Sequence, residues 1–135
     1  MKLIFGSDDF VAAWVMSRIG HPISPPYTAI GMTVDDATLC GGVVFNDWNG
    51  ANIAITVAVD RPPTRGIIRA LQHYAFEQAG AIRISAQTRR ANKRARKALE
   101  RLGFEYEFVR QNYFGPAKGD DAFCYVLKKG KERFK

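Results

Sequence analysis

The alternation of apolar and polar positions predicts seven strands along the chain. The clearest runs from Asn52 to Val59, where Ile53, Ile55 and Val57 alternate with small or polar residues, as in a strand with one apolar face. The remaining strands are predicted at residues 2–5, 27–34, 38–45, 81–86, 104–109 and 122–127. In the strand at 81–86, Ile82 and Ile84 are expected to face the core. Two acidic residues at 35–36 and the Asn-Gly pair at 49–50 are turn signals that separate the second, third and fourth strands.

A second pattern, with apolar residues three or four positions apart, predicts three helices. Their expected limits are Ser7 and Gly20, Gly66 and Gly80, and Asn92 and Gly103. Serine and asparagine are favoured helix N-caps, and glycine commonly ends a helix. A proline-rich loop at residues 20–26 follows the first helix, and a polar loop at 110–121 separates the last two strands.

The order of these elements predicts a mixed α/β sheet. It reads strand, helix, three-strand meander, helix, strand, helix and two strands, and the strand-helix-strand crossover requires a parallel pair. A length of 135 residues predicts a single domain over 1–135. The short apolar N-terminus predicts neither a signal peptide nor a membrane span. Cys40 and Cys124 lie in apolar runs, which predicts free thiols and a cytoplasmic protein.

The net charge of +7 indicates attraction to an anion. Much of it lies in one stretch, which contains Arg83, Arg89, Arg90, Lys93, Arg94, Arg96, Lys97 and Arg101. Three interpretations remain open: these residues neutralise the phosphates of a cofactor, they dock an acidic substrate or nucleic acid, or they form a solvated helix face. The chain has no zinc-ligand spacing, no recognition-helix motif and no aromatic residues between these cations, so nucleic-acid binding is disfavoured as the main role.

Motifs in the second half of the chain resemble those of one enzyme superfamily. They are Tyr74-Ala75-Phe76-Glu77, Gly80 followed by Arg83-Ile84, then Asn92, and finally Leu102-Gly103-Phe104. Their order and spacing resemble the GNAT superfamily of N-acetyltransferases. Gly119-Asp120-Asp121 and the strand after it resemble the subgroup that acetylates the N-termini of ribosomal proteins. The compact length is similar to that of short, phage-encoded members.

The resemblance implies a central sheet, mixed but mostly antiparallel, of six to seven strands with three main helices. Two central strands would splay apart to bind acetyl-coenzyme A. The backbone of Val57, Ala58 and Val59 would then hold the acetyl group and pantetheine arm, and Asn92 would contact the same arm. Arg65, Gly66, Ile67 and Ile68 would take the pyrophosphate at a helix N-terminus, where N–H groups and the dipole favour anions. Pro63 and Ile68 depart from the family's phosphate-loop pattern.

The usual catalytic side chains of the family are not matched. Leu99 stands where many members have a tyrosine acid, and Ala95 where others have a serine. Asp60 is expected to point toward the phosphate loop, and His73 to lie on the surface of the second helix. Tyr113 is the remaining candidate for the acid that protonates the leaving thiolate.

The sequence therefore predicts an acetyl-coenzyme A-dependent N-acetyltransferase in which a primary amine attacks directly within a ternary complex. The acceptor would be a protein N-terminus, a lysine or a small-molecule amine, and the protein a monomer or homodimer. No metal and no membrane association are expected. Two alternatives remain: a GNAT-fold binding module without activity, and a basic nucleic-acid-binding α/β domain.

Overall fold

The computed structural model describes residues 1–133 and contains one seven-stranded sheet flanked by three helices. The elements are β1 (Lys2–Ile4), α1 (Asp8–Ile19), β2 (Thr28–Thr33), β3 (Leu39–Asn46), β4 (Asn52–Val59), α2 (Arg65–His73), β5 (Arg83–Arg89), α3 (Lys93–Arg101), β6 (Glu105–Arg110) and β7 (Ala122–Lys128). A π-helical turn, Tyr74–Gln78, extends α2, and a 3-10 turn, Lys118–Asp120, precedes β7. The predicted number and order of strands and helices are confirmed.

The strands lie in the order β1-β2-β3-β4-β5-β7-β6. Only β4 and β5 run parallel among the described pairs, so the prediction of a mixed, mostly antiparallel sheet is confirmed. Their pairing begins at Asn52 and Arg83 and ends at Ile55 and Ala86. Beyond that point β4 stays paired to β3 and β5 stays paired to β7, while the two central strands separate. The central strands are therefore splayed, as expected.

The two faces of the sheet carry separate apolar clusters. One face packs on α1 through Val11, Ala12 and Val15, which are fully buried. The opposite face forms a larger core with α2, its π-helical turn and the segment after α3, and includes Phe76, Phe104 and other buried residues: Ile30, Met32, Val43, Phe45, Ile53, Ile84, Tyr125 and Leu127. Because neighbouring positions on a strand face opposite sides, both clusters draw on β2, β3 and β4.

Two local predictions are wrong. Ser7 precedes α1, but its side chain makes no capping hydrogen bond, and the carboxylate of Asp8 instead accepts the backbone N–H of Ala29. Ile82 was expected to face the core and is 61% exposed, because β5 begins one residue later, at Arg83. Gly20, with φ of 80°, ends α1 as predicted.

The third helix is less buried than its apolar stripe predicts. No residue of α3 is buried, although Leu99 and Leu102 pack partly against the core. The chain turns at Gly103, and Phe104 donates its backbone N–H to the carbonyl of Leu99 before entering β6. The Leu-Gly-Phe motif thus joins the end of α3 to the sheet.

Candidate active site

The separation of β4 from β5 opens a cleft at the carboxyl ends of the two parallel strands. Its sides are residues 56–59 of β4 and 87–89 of β5, whose facing edges are unpaired with each other. Val57 and Val59 are 44% and 41% exposed there, on the face opposite α1. Ala58 points the other way and is buried beneath α1. The three residues expected to line a cofactor therefore combine open strand backbone with two exposed apolar side chains.

The N-terminus of α2 lies just beyond the end of β4. Thr64 caps this helix and accepts the backbone N–H of Ile67 at 3.3 Å. Arg65 and Gly66 begin the helix, and backbone N–H groups of a first helical turn point out of the helix end. A Cβ added to Gly66 would meet only the Thr64 hydroxyl, at 3.9 Å. The helix end can therefore be approached closely by an anion such as a pyrophosphate.

Asn92 lies at the corresponding point after β5. Its side-chain oxygen accepts the backbone N–H of Ala95 at 3.1 Å and caps α3, while its own N–H bonds to the carbonyl of Arg89. The Nδ2 group of the same amide carries two further donors. The capping role of Asn92 is confirmed, and a contact with pantetheine stays a prediction. Ile67 is buried and Ile68 half-buried, so these two residues contribute backbone rather than side chain to the helix end.

A cavity of about 700 Å³ lies on the α1 face of the sheet, where the cleft begins. Its floor includes Ile55 and Ala86, the last paired residues of β4 and β5, and Thr56 and Gln87, the first residues after the strands separate. Its rim comprises residues 21–24 of the loop after α1, residues 46–49 before β4, and Arg110 and Tyr113 beside β6. The cleft and this cavity therefore meet at the centre of the sheet.

Hydrogen bonds fix the polar floor of the cavity. Arg83 donates from Nε to Asn52 at 2.9 Å and forms a bidentate pair with Glu107 at 2.9 and 2.7 Å. Asn52 in turn donates to the hydroxyl of Ser85 at 3.1 Å. The guanidinium of Arg83 holds the pKa of Glu107 below its ordinary value through these hydrogen bonds. The network joins β4 and β5 to β6 across the intervening strand β7.

The loop between β6 and β7 closes one side of the cavity. Asp121 accepts the backbone N–H of Asn112 at 2.8 Å and lies 3.7 Å from Arg90. The ring of Phe114 lies 5.4 Å from that of His21 in the loop after α1. Tyr113 packs edge-on against Phe114, lines the cavity and is 52% exposed. The structure thus brings Tyr113 to the cavity, and its role as a catalytic acid stays a prediction.

Of the two other candidates, Asp60 has different surroundings from those expected. Asp60 was expected to point toward the phosphate loop; instead its carboxylate accepts both Nε and Nη2 of Arg18, at 3.2 and 3.1 Å, so the prediction is wrong. This hydrogen-bonded pair lowers the pKa of Asp60 and ties the end of α1 to the end of β4. His73 is exposed, as predicted.

Apart from Arg83, which pairs with Glu107, the basic stretch divides into two groups. Arg89, Arg90 and Arg96 lie over the rings of Phe114 or Phe123, at 4.4 to 5.5 Å. No aromatic residue stands between these cations in the sequence, and the rings that accompany them in the fold come from β7 and the loop before it. The remaining cations of α3, Lys93, Arg94, Lys97 and Arg101, are exposed.

Sequence reasoning missed Arg110 and the Arg83–Glu107 pair as parts of the site. Arg83 was counted only within the basic stretch, and Glu107 lies at an irregularity in the register of β6 with β7. The one available signal was the place of Glu107 and Arg110 at the end of the strand before the loop at 110–121. Within residues 1–133 no cluster of three or more His, Cys, Asp or Glu side chains could hold a metal ion. No described helix is long and apolar enough to cross a membrane.

Comparison with known proteins yields matches at the level of structure. No protein-family model and no curated protein matches the chain. Three solved structures that it resembles are an acetyltransferase designated as probable, PseH of Campylobacter jejuni in complex with acetyl coenzyme A, and a mutant of the spermidine N-acetyltransferase SpeG of Vibrio cholerae.

These likenesses differ in extent. The probable acetyltransferase has a TM-score of 0.64 and 21% identity over 78% of this chain and 63% of its own. PseH has a TM-score of 0.62 and 14% identity over 78% of this chain and 70% of its own. SpeG has a TM-score of 0.75 and 12% identity over 95% of both chains. This chain thus spans less than two thirds of the length of the first structure. Together with the splayed central strands, the comparisons show that the chain has the GNAT fold.

Proposed function

We propose that this protein is an acetyl-coenzyme A-dependent N-acetyltransferase that transfers acetyl to a primary amine. The observation that carries the proposal is the cleft between β4 and β5, with the N-termini of α2 and α3 beyond its open end. A long, thin cofactor with a phosphate group at one end fits such a cleft. Acetyltransferase activity in structural neighbours, one of them bound to acetyl coenzyme A, supports the same choice.

The cofactor-binding residues follow from this placement. The backbone of Val57 and Val59 would bond to the pantetheine arm along the unpaired edge of β4, while Asn92 donates to it from the β5 side. The first-turn N–H groups around Gly66 would bind the pyrophosphate, which the dipole of α2 favours. The exposed cations of α3 would neutralise the phosphates at long range.

The acceptor amine would approach from the cavity on the α1 face. Its lone pair attacks the thioester carbonyl carbon, the C–S bond breaks, the amine loses a proton to water, and the thiolate takes up a proton. A backbone N–H near Val59 would stabilise the developing oxyanion. Tyr113, at the cavity rim, is the candidate for the proton donor to the thiolate. No covalent enzyme intermediate is required.

Finer assignments belong to the same proposal. The acceptor would be a protein N-terminus, a lysine or a small amine, and spermidine joins the candidates because a structural neighbour is named for it. Membership of the ribosomal-protein subgroup, a phage-like form, a cytoplasmic location and a monomeric or homodimeric state remain predictions from sequence.

A catalytically inactive binding module is the second candidate. It is favoured by Leu99 and Ala95, which provide no acid at the positions on α3 where relatives place a tyrosine or serine. In that case the cleft would bind the cofactor without turnover. Nucleic-acid binding would rest only on the exposed cations of α3.

Thermal unfolding with and without acetyl-coenzyme A is the first test, followed by thiol release with a panel of amines. A ligand at a hundred times its dissociation constant stabilises the fold by about 2.7 kcal/mol, or several degrees. A shift with turnover supports the enzyme, and a shift without turnover for any amine supports the binding module. If acetyl-coenzyme A did not shift the unfolding midpoint and an oligonucleotide shifted it in a salt-sensitive way, the result would reject the enzyme and the binding module and support nucleic-acid binding.

A further inference from the structure

Arg110 is a cation held at the rim of the cavity by aromatic rings. It is the last residue of β6, and its guanidinium carbon lies 5.3 Å from the ring centre of Phe108 and 5.6 Å from that of Tyr113. Phe108 is paired with Cys124 on β7 and Arg110 with Ala122. Since alternate residues share a face, Phe108, Arg110 and Cys124 all lie on the cavity side of the sheet.

Four arginines near the site already have carboxylate partners, whereas Arg110 has none within residues 1–133. Arg18, Arg83, Arg89 and Arg90 pair with Asp60, Glu107, Asp120 and Asp121, respectively. No ion pair of Arg110 occurs among the residues that the structure describes. Glu107, three residues earlier, is already held in a bidentate pair by Arg83. The charge of Arg110 is therefore available to a ligand.

The guanidinium also leans toward the centre of the sheet. Arg110 and Cys124 line the same cavity, and while burial raises the pKa of Cys124, a hydrogen bond with Arg110 and then the charge of Arg110 oppose that rise. Cys124 is paired with Gln87 of β5, the first residue of that strand beyond the cleft junction. Neighbouring strands lie about 4.8 Å apart, so the backbone of Arg110 on β6 is two strand spacings, about 10 Å, from β5, and its side chain reaches back over β7 toward the junction.

From this geometry we propose that the acceptor is a primary amine that carries a carboxylate or phosphate a few bonds from its nitrogen, and that Arg110 binds this anion. The inference rests on the proposed function, because it assumes that the amine reaches the cleft junction. Arginine suits the role, since its planar group binds both anions in bidentate fashion. The rings of Phe108 and Tyr113 hold it in place, which reduces the entropy lost on binding.

The test compares kcat/KM for matched amines that differ in one anionic group. β-Alanine is set against β-alaninamide, 2-aminoethyl phosphate against ethanolamine, and the dipeptide alanyl-glutamate against alanyl-glutamine. We expect the native protein to prefer at least one anionic member, and the preferred pair identifies the anion. In Arg110→Met the ratio should fall about ten- to hundredfold, the usual contribution of a charge-assisted hydrogen bond. Arg110→Lys should retain part of it.

The ratio within each pair cancels any loss of activity common to both amines. Lys131→Met, which removes an exposed cation after β7, is the control and should leave the ratio unchanged. A native protein that turns over both members of every pair equally would overturn the inference while leaving the acetyltransferase intact. An anion preference that is unchanged in Arg110→Met would also overturn the inference.

A binding measurement decides the case in which no amine is turned over. Titration calorimetry would compare N-acetyl-β-alanine with N-acetyl-β-alaninamide, and N-acetyl-2-aminoethyl phosphate with N-acetylethanolamine. Tenfold or tighter binding of an anionic compound to the native protein, lost in Arg110→Met, would support the anion site even though the proposed transfer had failed. Equal binding within both pairs, or no binding at all, would reject it.

Discussion

Gly66 stands at the second position of α2, where a side chain would lie over the helix end. Gly66→Asp should weaken acetyl-coenzyme A binding at least tenfold, because a carboxylate a few ångströms from the pyrophosphate repels it. Stability should not fall, since an acid in the first turn favours the helix dipole. Titration calorimetry and thermal unfolding measure the two effects.

Gly66→Ala is the control for this variant. Its added Cβ meets only the Thr64 hydroxyl at 3.9 Å, so binding should stay within a few-fold of the native protein. Equal affinity of the native protein and Gly66→Asp for acetyl-coenzyme A would show that the phosphates do not bind at the N-terminus of α2.

Glu107 should contribute a pH-dependent increment of stability through Arg83. The pKa of Glu107 is lowered in the folded protein, chiefly by its hydrogen bonds with Arg83. The increment is therefore complete above the unfolded-state pKa of about 4.3 and is lost as the pH falls through the lower, folded-state pKa. Both side chains are 32% exposed, so screening limits it to about 1 kcal/mol or less.

Glu107→Gln measures this increment. Chemical unfolding should show the native protein more stable than the variant at pH 7, with the difference shrinking as the pH falls below about 4.3. Asp35 and Asp60 also have lowered pKa values, but both remain in the variant and cancel in the difference. A difference that stays constant from pH 7 to pH 3 would mean that the pair contributes only through packing.

The packing of α1 on the sheet depends on glycines in β2 and β3. A Cβ on Gly42 would meet Val15 Cγ2 at 2.8 Å and Val11 Cγ1 at 3.0 Å, and both valines are fully buried. Glycine at this position therefore sets how closely the helix approaches the strands, and with it the floor beside the cavity. The sequence pattern predicts the helix but gives no measure of this distance.

Gly42→Ala should therefore destabilise the protein by about 1–3 kcal/mol, as overpacked cores do. For a chain of this size the midpoint of thermal unfolding should fall by several degrees. The same chemical change at Gly66, where nothing crowds the added methyl group, is the matched comparison. If Gly42→Ala were as stable as Gly66→Ala, α1 would have to be able to shift outward freely.

At the scale of the whole molecule, periodic patterns in the sequence predict the strands and helices, but they do not predict contacts between side chains on elements that are distant in the chain. Alternation at residues 52–59 and helical spacing after Asn92 place the elements to within a few residues. By contrast, the Arg83–Glu107 pair requires β7 to lie between β5 and β6, and an irregular register that turns Glu107 toward the cavity. No local pattern carries that information.

The partners of charged residues are likewise not predicted by local sequence patterns. The basic stretch is evident in the sequence, but its division into arginines that stack on aromatic rings and exposed cations depends on β7, which follows it in the chain. Asp60 is a further case: its partner, Arg18, lies 42 residues earlier and meets it only because α1 crosses the sheet. The local motifs predict the cleft, whereas the cavity's side chains come from across the molecule.

Cofactor binding should protect backbone amides from hydrogen exchange where β4 and β5 separate. The facing edges of residues 56–59 and 87–89 are unpaired, so their outward amides should exchange quickly in the free protein. Saturating acetyl-coenzyme A should slow exchange there and in the first turns of α2 and α3, while β1, β2 and α1 change little. Hydrogen exchange read by mass spectrometry measures this, with Gly66→Asp as the non-binding control. Uniform protection would indicate only global stabilisation, and protection confined to exposed cations of α3 would locate the ligand outside the cleft.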